Sequence, residues 1–190
     1  KLNFGENLLP KKNMDKAITF ISENGFKEIR NWRELNQNVS KICKFLKSIK
    51  IKKKDRIAAY LPNSIETVEA FISCVSLGAI WSSCSPDFGV RGVIERFLQI
   101  KPKVLFVVDQ YFYNGKKINV LERVPQILKE IPSIKKVVIV SYPGQRYLNN
   151  QYNFKNVKIF RWNELFKIKS NDFNFSKFDF EQELVILYSS

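Results

Sequence analysis

The sequence predicts an α/β fold, a doubly wound and mostly parallel sheet with flanking helices. Several short segments are continuous runs of apolar residues, which is typical of strands buried on both faces of a sheet. These runs alternate with segments whose apolar residues recur at helical spacing. The chain has 190 residues, of which 45% are hydrophobic. A chain of that size and composition buries a core without needing disulfides or a metal.

The first elements are a hairpin and a helix. Asn24-Gly25 separates two short runs, Ala17–Glu23 and Phe26–Arg30, and an Asn-Gly pair in that setting predicts a tight hairpin turn. Asn31 is then expected to cap a helix, with Glu34 three residues later completing a capping box.

Strands and helices alternate from Arg56 onward. The predicted strands are Arg56–Leu61, Ala79–Ser83, Val104–Val108, Val137–Val140 and Leu184–Tyr188. The predicted helices are Ser64–Leu77, Val90–Ile100 and Asn119–Ile131, the last bent or restarted at Pro125. Pro62 ends the first of these strands, and Gly78 suits the position just past the end of a helix.

The chain divides into four segments. We expect an entry segment with the hairpin over 1–31, a βα core over 32–141 and an irregular excursion over 142–183. A strand leading onward occupies 184–190. The excursion is rich in Asn, Phe and Lys and contains one short predicted strand, Val157–Phe160.

Composition excludes several classes of site. With no histidine, the chain cannot itself supply a Ser-His-Asp or Cys-His catalytic pair or a histidine zinc site. Cys43, Cys74 and Cys84 are widely spaced among apolar residues, which predicts buried reduced thiols in a cytoplasmic protein. No apolar run approaches the ~20 residues needed to cross a bilayer.

The net charge is +14, from 32 basic and 18 acidic residues. The lysines fall in short clusters where helices give way to strands, and no nucleic-acid-binding motif accompanies them. This pattern favours a solvated Lys-rich surface. A basic α/β module that binds a nucleotide or RNA stays open as an alternative.

Open parallel sheets bind ligands beyond the carboxyl ends of their strands. Those ends are Pro62-Asn63-Ser64, Ser82–Asp87, Asp109–Lys117, Ser141–Gly144 and Ser189-Ser190. None carries a GxGxxG or GxxxxGK[ST] phosphate motif. The residues alone therefore predict loops suited to a small ligand.

Five segments carry a family resemblance. They read LNFGENLL (Leu2–Leu9), WREL (Trp32–Leu35), DRIAAYLPN (Asp55–Asn63), GAIWSSCSPDFG (Gly78–Gly89) and ELVILYSS (Glu183–Ser190). Their order resembles the adenylate-forming acyl-CoA synthetases, and WSSCSPDFG resembles the acetoacetate–CoA ligases in that family. The resemblance implies that 1–190 is an interior fragment, the first lobe of the family's large N-terminal domain.

It also implies a two-step reaction. Acetoacetate attacks ATP, held with Mg²⁺, to give an acyl-adenylate and pyrophosphate, and the thiol of CoA then displaces AMP to give acetoacetyl-CoA. A sibling enzyme for another short acid, such as acetate or propionate, stays open, because the acyl pocket of the family lies beyond Ser190. We expect neither catalytic residues nor metal ligands in this chain, and we expect it to be inactive without the remainder of its own polypeptide. Nucleic acid is not an expected partner.

Two groups of residues match binding positions of the family. Ser189 and Ser190 correspond to the first hydroxyls of its phosphate loop, which reads approximately YSSGTTGxPKG. Tyr113, Asn114, Gly115 and Lys116 stand where relatives carry a basic turn against the nucleotide end of CoA, although Tyr113 replaces an arginine there. An ordinary solvated Lys-Lys turn is the alternative. Trp81–Asp87 either shapes the CoA channel or packs in the core.

The last predicted strand, Leu184–Tyr188, should be central in the intact enzyme. Without neighbours on its far side, it exposes apolar surface, and we expect the chain to be prone to aggregation.

Overall fold

The chain begins with a short helix and the predicted hairpin. The structure, a computed structural model, describes residues 1–148, 152–168 and 173–189. Helix α1 (Phe4–Asn7) precedes strands β1 (Lys16–Ile21) and β2 (Lys27–Asn31), which pair antiparallel. Gly25 adopts a φ of 79° in the turn between them, a conformation that favours glycine. The hairpin prediction is confirmed.

Helix α2 (Trp32–Ser48) carries the predicted capping box. The Asn31 side chain accepts a hydrogen bond from the Glu34 amide at 2.8 Å, and the Glu34 carboxylate accepts one from the Asn31 amide at 3.2 Å. Two of the amides that a helix start leaves unpaired are thereby satisfied. The apolar face of α2 is buried in the core.

Strands and helices then alternate, except that two strands that were not predicted follow the strand over Val104–Val108. In chain order they are β3 (Arg56–Tyr60), α3 (Ile65–Ser76), β4 (Ile80–Cys84), α4 (Val90–Ile100), β5 (Val104–Val108), β6 (Gln110–Tyr113), β7 (Lys116–Asn119), α5 (Val124–Glu130), β8 (Lys136–Val140) and β9 (Lys158–Arg161). The predicted short strand Val157–Phe160 is thus present as β9, one residue later.

Five of these strands form one parallel sheet in the order β4-β3-β5-β8-β9. The chain first steps from β3 to β4 and then crosses back to β5 on the other side of β3. Because crossovers between parallel strands are right-handed, this reversal places α3 and α4 on opposite faces of the sheet. The doubly wound α/β fold is confirmed.

Three predicted elements differ from the structure, and the first of them is a helix. The helix predicted over Asn119–Ile131 is wrong in its first turns: a 3₁₀ turn covers Leu121–Arg123 and α5 begins only at Val124. Pro125 lies in the first turn of α5, where its missing amide hydrogen costs no intrahelical bond, so it starts the helix and does not bend it.

Part of the loop predicted over Asp109–Lys117 is a second hairpin. Strands β6 and β7 pair antiparallel around a turn at Asn114 and Gly115, whose φ angles are 48° and 70°. Two consecutive residues at positive φ match the twist of a two-residue hairpin.

The strand predicted at Leu184–Tyr188 is wrong as a regular strand. It forms a single parallel bridge beside β4, in which the Trp81 amide donates to the Leu184 carbonyl and the Ile186 amide donates to the Trp81 carbonyl, both at 2.9 Å. Its other edge pairs with no strand among the described residues, and Leu187 is 81% exposed.

The three cysteines are buried and free, as predicted. Burial raises the pKa of the Cys43 thiol to about 12, so this thiol stays protonated and unreactive at neutral pH. Among the residues that the structure describes, no helix is both long enough and apolar enough to span a bilayer.

Candidate functional site

A cavity of about 270 Å³ lies at the carboxyl edge of the sheet. From β3 the chain turns towards β4, and from β5 it turns towards β8, so the crevice beyond these two adjacent strands is the topological switch point of the sheet. Ligands of open α/β sheets bind at such a point. The cavity is lined by Leu61, Pro62, Asn63, Thr67, Ser83, Cys84, Ser85, Pro86, Asp87, Tyr111, Phe112, Tyr113 and Tyr142. Four of the five strand-end segments singled out from the sequence therefore contribute residues to one cavity, whereas Ser189 is not among its lining residues.

One wall of the cavity is the loop Ser85–Phe88, between β4 and α4. Its backbone is held by two side chains from elsewhere in the chain. The Tyr60 hydroxyl lies 2.5 Å from the Phe88 carbonyl oxygen, and the Arg123 guanidinium donates to the Pro86 carbonyl at 2.9 Å. Because these bonds are made to main-chain oxygens, they fix the course of the loop whatever its side chains do.

The opposite wall is the hairpin β6–β7, and a polar contact joins it to the loop. Tyr111, which is buried, has its pKa raised by burial and by the Asp87 carboxylate, which accepts a hydrogen bond from its hydroxyl. Asp87 itself is exposed and accepts a second bond from the Ser85 hydroxyl at 2.7 Å. The cavity thus carries a negative carboxylate on one rim.

The tip of this hairpin holds the four predicted CoA residues. Tyr113 is 60% exposed and lines the cavity, whereas Asn114, Gly115 and Lys116 form the exposed turn beside it. The Asn114 amide donates to the Glu23 carboxylate at 2.8 Å. That carboxylate, from the first hairpin, orders the turn and offsets part of its positive charge. Their role in binding CoA stays a prediction.

Asp109, at the end of β5, is fully buried and has a structural role. Its carboxylate accepts hydrogen bonds from the Tyr142 amide at 3.0 Å and from the Leu148 amide at 3.1 Å. Burial raises its pKa, and the backbone donors oppose that rise. Asp109 therefore holds the backbone of the loop after β8 at the end of β5.

Ser189 lies at the same edge, because its segment runs parallel to β4. The segment is fixed by Tyr188, whose hydroxyl donates to the Arg96 carbonyl at 2.7 Å. The Arg96 guanidinium lies 4.4 Å from the centre of the Phe88 ring and 5.8 Å from that of Tyr188. Ser189 is exposed at the end of this arrangement, and Ser190 lies outside the described residues. The phosphate-loop role of both stays a prediction.

The segment Trp81–Asp87 lies partly in the core and partly at the cavity, and its role in a CoA channel stays a prediction. Trp81 packs in the core against the rings of Phe71 and Phe106. Cys84 is buried but lines the cavity, and Asp87 stands on its rim. On the helix that follows, Arg91 forms an exposed ion pair with Glu95, with 2.8 Å between the Nε and Oε1 atoms.

Tyr60 and Arg123 were not among the site residues expected from the sequence, whereas Tyr142 lies in the strand-end segment Ser141–Gly144. Tyr60 stands near the end of a predicted strand, so its position was a usable signal. Arg123 lies 63 residues from Tyr60 in sequence, and no local pattern connects the two.

Within residues 1–148, 152–168 and 173–189, no group of three or more His, Cys, Asp or Glu side chains is arranged to hold a metal ion.

Comparison with known proteins identifies the family. The family model described as AMP-binding enzyme matches residues 10–190. The chain is similar to the acetoacetyl-CoA synthetase of Gallus gallus, with 39% identity over 100% of this chain and 29% of that protein. It is also similar to the acetoacetyl-CoA synthetase of Macaca fascicularis, with 43% identity over 77% of this chain and 22% of that protein.

A solved structure shares the fold. Acetoacetyl-CoA synthetase from Streptomyces lividans superposes with a TM-score of 0.87 and 28% identity, covering 99% of this chain and 28% of that one. The chain thus spans less than a third of the length of these relatives. The matches confirm the resemblance read from the five sequence segments, and the chain belongs to the AMP-binding enzyme family.

Proposed function

We propose that this chain is part of an ATP-dependent acid–thiol ligase that adenylates acetoacetate and transfers the acyl group to CoA, giving acetoacetyl-CoA, AMP and pyrophosphate. The observation that carries the proposal is the cavity at the switch point of the sheet, bordered by the basic turn of hairpin β6–β7. It occurs in a fold shared along 99% of the chain with an acetoacetyl-CoA synthetase.

The chemistry explains why such an enzyme needs two nucleotide-bearing substrates. A carboxylate is a poor acyl donor because its leaving group would be an oxide ion. Adenylation replaces that group with AMP, which the thiol of CoA then displaces. The protein contributes mainly by positioning the reactants and by placing positive charge and amide hydrogens near the phosphates.

In this scheme the present chain receives the CoA molecule. Tyr113, Asn114, Gly115 and Lys116 form an exposed turn that a polyanion can approach from solvent. Lys116 supplies positive charge, and Gly115 leaves the backbone open, since nothing lies within 4 Å of the position that a Cβ atom would take there. Tyr113 offers a flat ring in place of a cationic fork, which favours stacking over bidentate pairing with a phosphate.

Ser189 and Ser190 are proposed to begin the loop that binds the ATP phosphates. The segment before them is anchored to β4 and to Arg96, which gives Ser189 a defined position at the carboxyl edge. Mg²⁺ would be bound with ATP, and no ligand for it is assigned to this chain. A cytoplasmic location is likewise proposed.

The direct experiment is a product assay on the full-length protein that contains this chain. Purified protein is incubated with Mg-ATP, CoA and acetoacetate, acetate or propionate in parallel, and CoA thioesters and AMP are separated by liquid chromatography. We expect one AMP for each acetoacetyl-CoA and the highest kcat/KM with acetoacetate. A higher value with another short acid would reassign the substrate within the same class. Tight, steeply salt-dependent RNA binding without thioester formation would instead favour a basic nucleic-acid module.

A pair of lysine variants tests the assigned CoA turn. Lys116→Ala removes a charge beside the cavity, whereas Lys135→Ala removes an exposed charge just before β8, at the amino edge of the sheet. An exposed ionic contact contributes up to about 1 kcal/mol, so Lys116→Ala should raise the KM for CoA by up to about fivefold. Lys135→Ala should leave it unchanged, and equal effects of both variants would argue against the assignment.

The 190-residue chain assayed alone should form no thioester, because it spans less than a third of the length of the synthetases that it resembles. Measurable acetoacetyl-CoA from the purified chain would contradict that expectation.

A further inference from the structure

Arg123 is bonded to three oxygens at the wall of the cavity. Its guanidinium lies 2.6 Å from the Tyr60 hydroxyl, 2.9 Å from the Pro86 carbonyl and 3.3 Å from the Phe88 carbonyl. In the part of the chain that the structure describes, Arg123 forms no ion pair with a carboxylate. Its hydrogen-bonding groups are therefore directed at the backbone of one loop.

Tyr60 is the second residue whose side chain holds this loop. It is fully buried at the end of β3, and its hydroxyl accepts from Arg123 while donating to the Phe88 or the Pro86 carbonyl, at 2.5 Å and 3.2 Å. A buried hydroxyl with both roles satisfied fixes the direction of the guanidinium. Arg123 and Tyr60 together hold the loop Ser85–Phe88 from the backbone side.

Arg123 is also connected to the opposite wall, because its 3₁₀ turn, Leu121–Arg123, lies just after hairpin β6–β7 in the chain. Its 3₁₀ turn is tied to the end of β7, where the Asn119 side chain accepts from the Leu121 amide at 3.1 Å. The same hairpin contributes Tyr111, whose hydroxyl bonds to Asp87 in the loop. The two walls are thus joined twice, through Tyr111 on the cavity side and through Arg123 behind it.

We propose that Arg123 is a positioning residue that keeps the loop Ser85–Phe88 and hairpin β6–β7 in register, and that it thereby sets the affinity of this cavity for CoA. This inference rests on the proposed function, since CoA is the ligand assigned to the cavity. Arg123 acts through the loop backbone and does not touch the substrate.

The arrangement separates the two substrates. ATP is assigned to the loop that begins at Ser189, whereas within the described residues the side-chain hydrogen bonds of Arg123 go to Tyr60 and to the loop Ser85–Phe88. That loop reaches the segment before Ser189 through the Phe88 ring, Arg96 and Tyr188. Loosening the walls should therefore weaken CoA binding much more than ATP binding, whereas a residue needed only for folding would weaken both to a similar extent.

The experiment uses the full-length protein with Arg123→Met, Arg123→Lys and Tyr60→Phe, and Arg91→Met as the matched control. The side chain of Arg91 is 93% exposed and, among the residues that the structure describes, forms an ion pair with Glu95 alone, so its loss tests the removal of an arginine as such. Dissociation constants for CoA and for ATP are measured by titration calorimetry, which requires no turnover.

We expect Arg123→Met to raise the Kd for CoA about tenfold, which corresponds to roughly 1.4 kcal/mol. The Kd for ATP should stay within about twofold of the wild-type value, a change of roughly 0.4 kcal/mol. Arg123→Lys should recover part of the CoA affinity, because an ammonium still donates to one carbonyl but not to all three oxygens. Tyr60→Phe should give a smaller loss of the same kind, and it tests the inference if Arg123→Met does not fold.

Three results would overturn the inference: an unchanged Kd for CoA in Arg123→Met and Tyr60→Phe, a parallel loss of CoA and ATP binding, or a wild-type protein that does not bind CoA. A wild-type protein that binds CoA but makes no acetoacetyl-CoA would contradict the proposed reaction. The effect of Arg123 on CoA affinity would still be measured in that case.

Discussion

Protonation of the buried residue Glu69 should stabilise the folded chain at low pH, and this contribution should be lost as the pH rises. This glutamate of α3 is fully buried. Its Oε1 atom lies 2.9 Å from the Nε atom of Arg30 in β2 and accepts a hydrogen bond from the side-chain amide of Asn38 at 2.8 Å. Its Oε2 atom is buried without a hydrogen-bond partner among the described residues. Arg30 also pairs with Glu28, and burial raises the pKa of the neighbouring Glu66 as well.

The size of this contribution to the free energy of unfolding follows from the pKa of the Glu69 carboxyl group. Burial raises the pKa of Glu69 from its ordinary value of 4.5 to about 7, although Arg30 and Asn38 favour the charged form. The folded chain therefore binds the proton more tightly than the unfolded chain does. The resulting stability is fully present below pH 4.5 and is lost as the pH rises through about 7. At about 1.4 kcal/mol per pH unit, that interval corresponds to about 3 kcal/mol.

The assay compares the wild-type chain with Glu69→Gln in urea unfolding at pH 4.5, 6, 7 and 8, followed by tryptophan fluorescence. Glutamine stays neutral and keeps the oxygen that accepts from Asn38, so the variant should lose this part of the pH dependence. Relative to wild type, it should gain about 3 kcal/mol in the free energy of unfolding between pH 4.5 and 8. Subtracting the two curves cancels the other titrating groups.

Glu95→Gln serves as the control, because Glu95 is exposed and its one ion pair within the described ranges is with the exposed Arg91. The difference in the free energy of unfolding between Glu95→Gln and wild type should not vary with pH. A Glu69→Gln curve parallel to wild type, or one that loses stability as the pH rises, would refute the reasoning. It would mean that Arg30 holds Glu69 charged in the folded chain at every pH tested.

Three further changes test the framework around the site. Asn31→Ala removes the side-chain cap of α2 and should lower the free energy of unfolding by about 1 kcal/mol in urea titration. Asp109→Ala leaves the Tyr142 and Leu148 amides without their acceptor and should cost about 3 kcal/mol in the same titration, with faster proteolysis of the loop after β8. Leu187→Glu places a charge on the segment beside β4, whose other edge pairs with no described strand and where the wild-type residue is 81% exposed. It should reduce light scattering at high protein concentration without lowering the urea midpoint, and unchanged scattering would locate the aggregating surface elsewhere.

The sheet core could be predicted because its strands carry their own signal. Val104–Val108 is apolar at every position and is buried at every position, so its burial on both faces is visible in the sequence. The helix Val90–Ile100 was predicted to the residue from its periodicity and from Pro102 after it.

The second hairpin was missed although its signal is of the same kind as the first. Asn114-Gly115 repeats the pattern of Asn24-Gly25, but the lysines after it resemble a solvated loop. Its strands are held partly by contacts beyond the hairpin, such as Phe112 against the ring of Tyr142. Contacts of that range leave no local pattern.

One feature of the site could likewise be predicted from the sequence, and another could not. Its location at the strand ends follows from parallel topology, which the alternation of elements predicts. The joining of its walls depends on Arg123 reaching Tyr60, 63 residues away, and on Tyr111 reaching Asp87. Glu69 shows the same limit, because its helix position gives no sign that an arginine of the first hairpin covers it.

The most direct test of the account is an experimental structure of the full-length protein with CoA bound. We predict that CoA lies in the cavity between the loop Ser85–Phe88 and hairpin β6–β7, with its nucleotide phosphates against the turn that holds Gly115 and Lys116. Ordered CoA at another surface, with this cavity empty at saturating concentration, would contradict it.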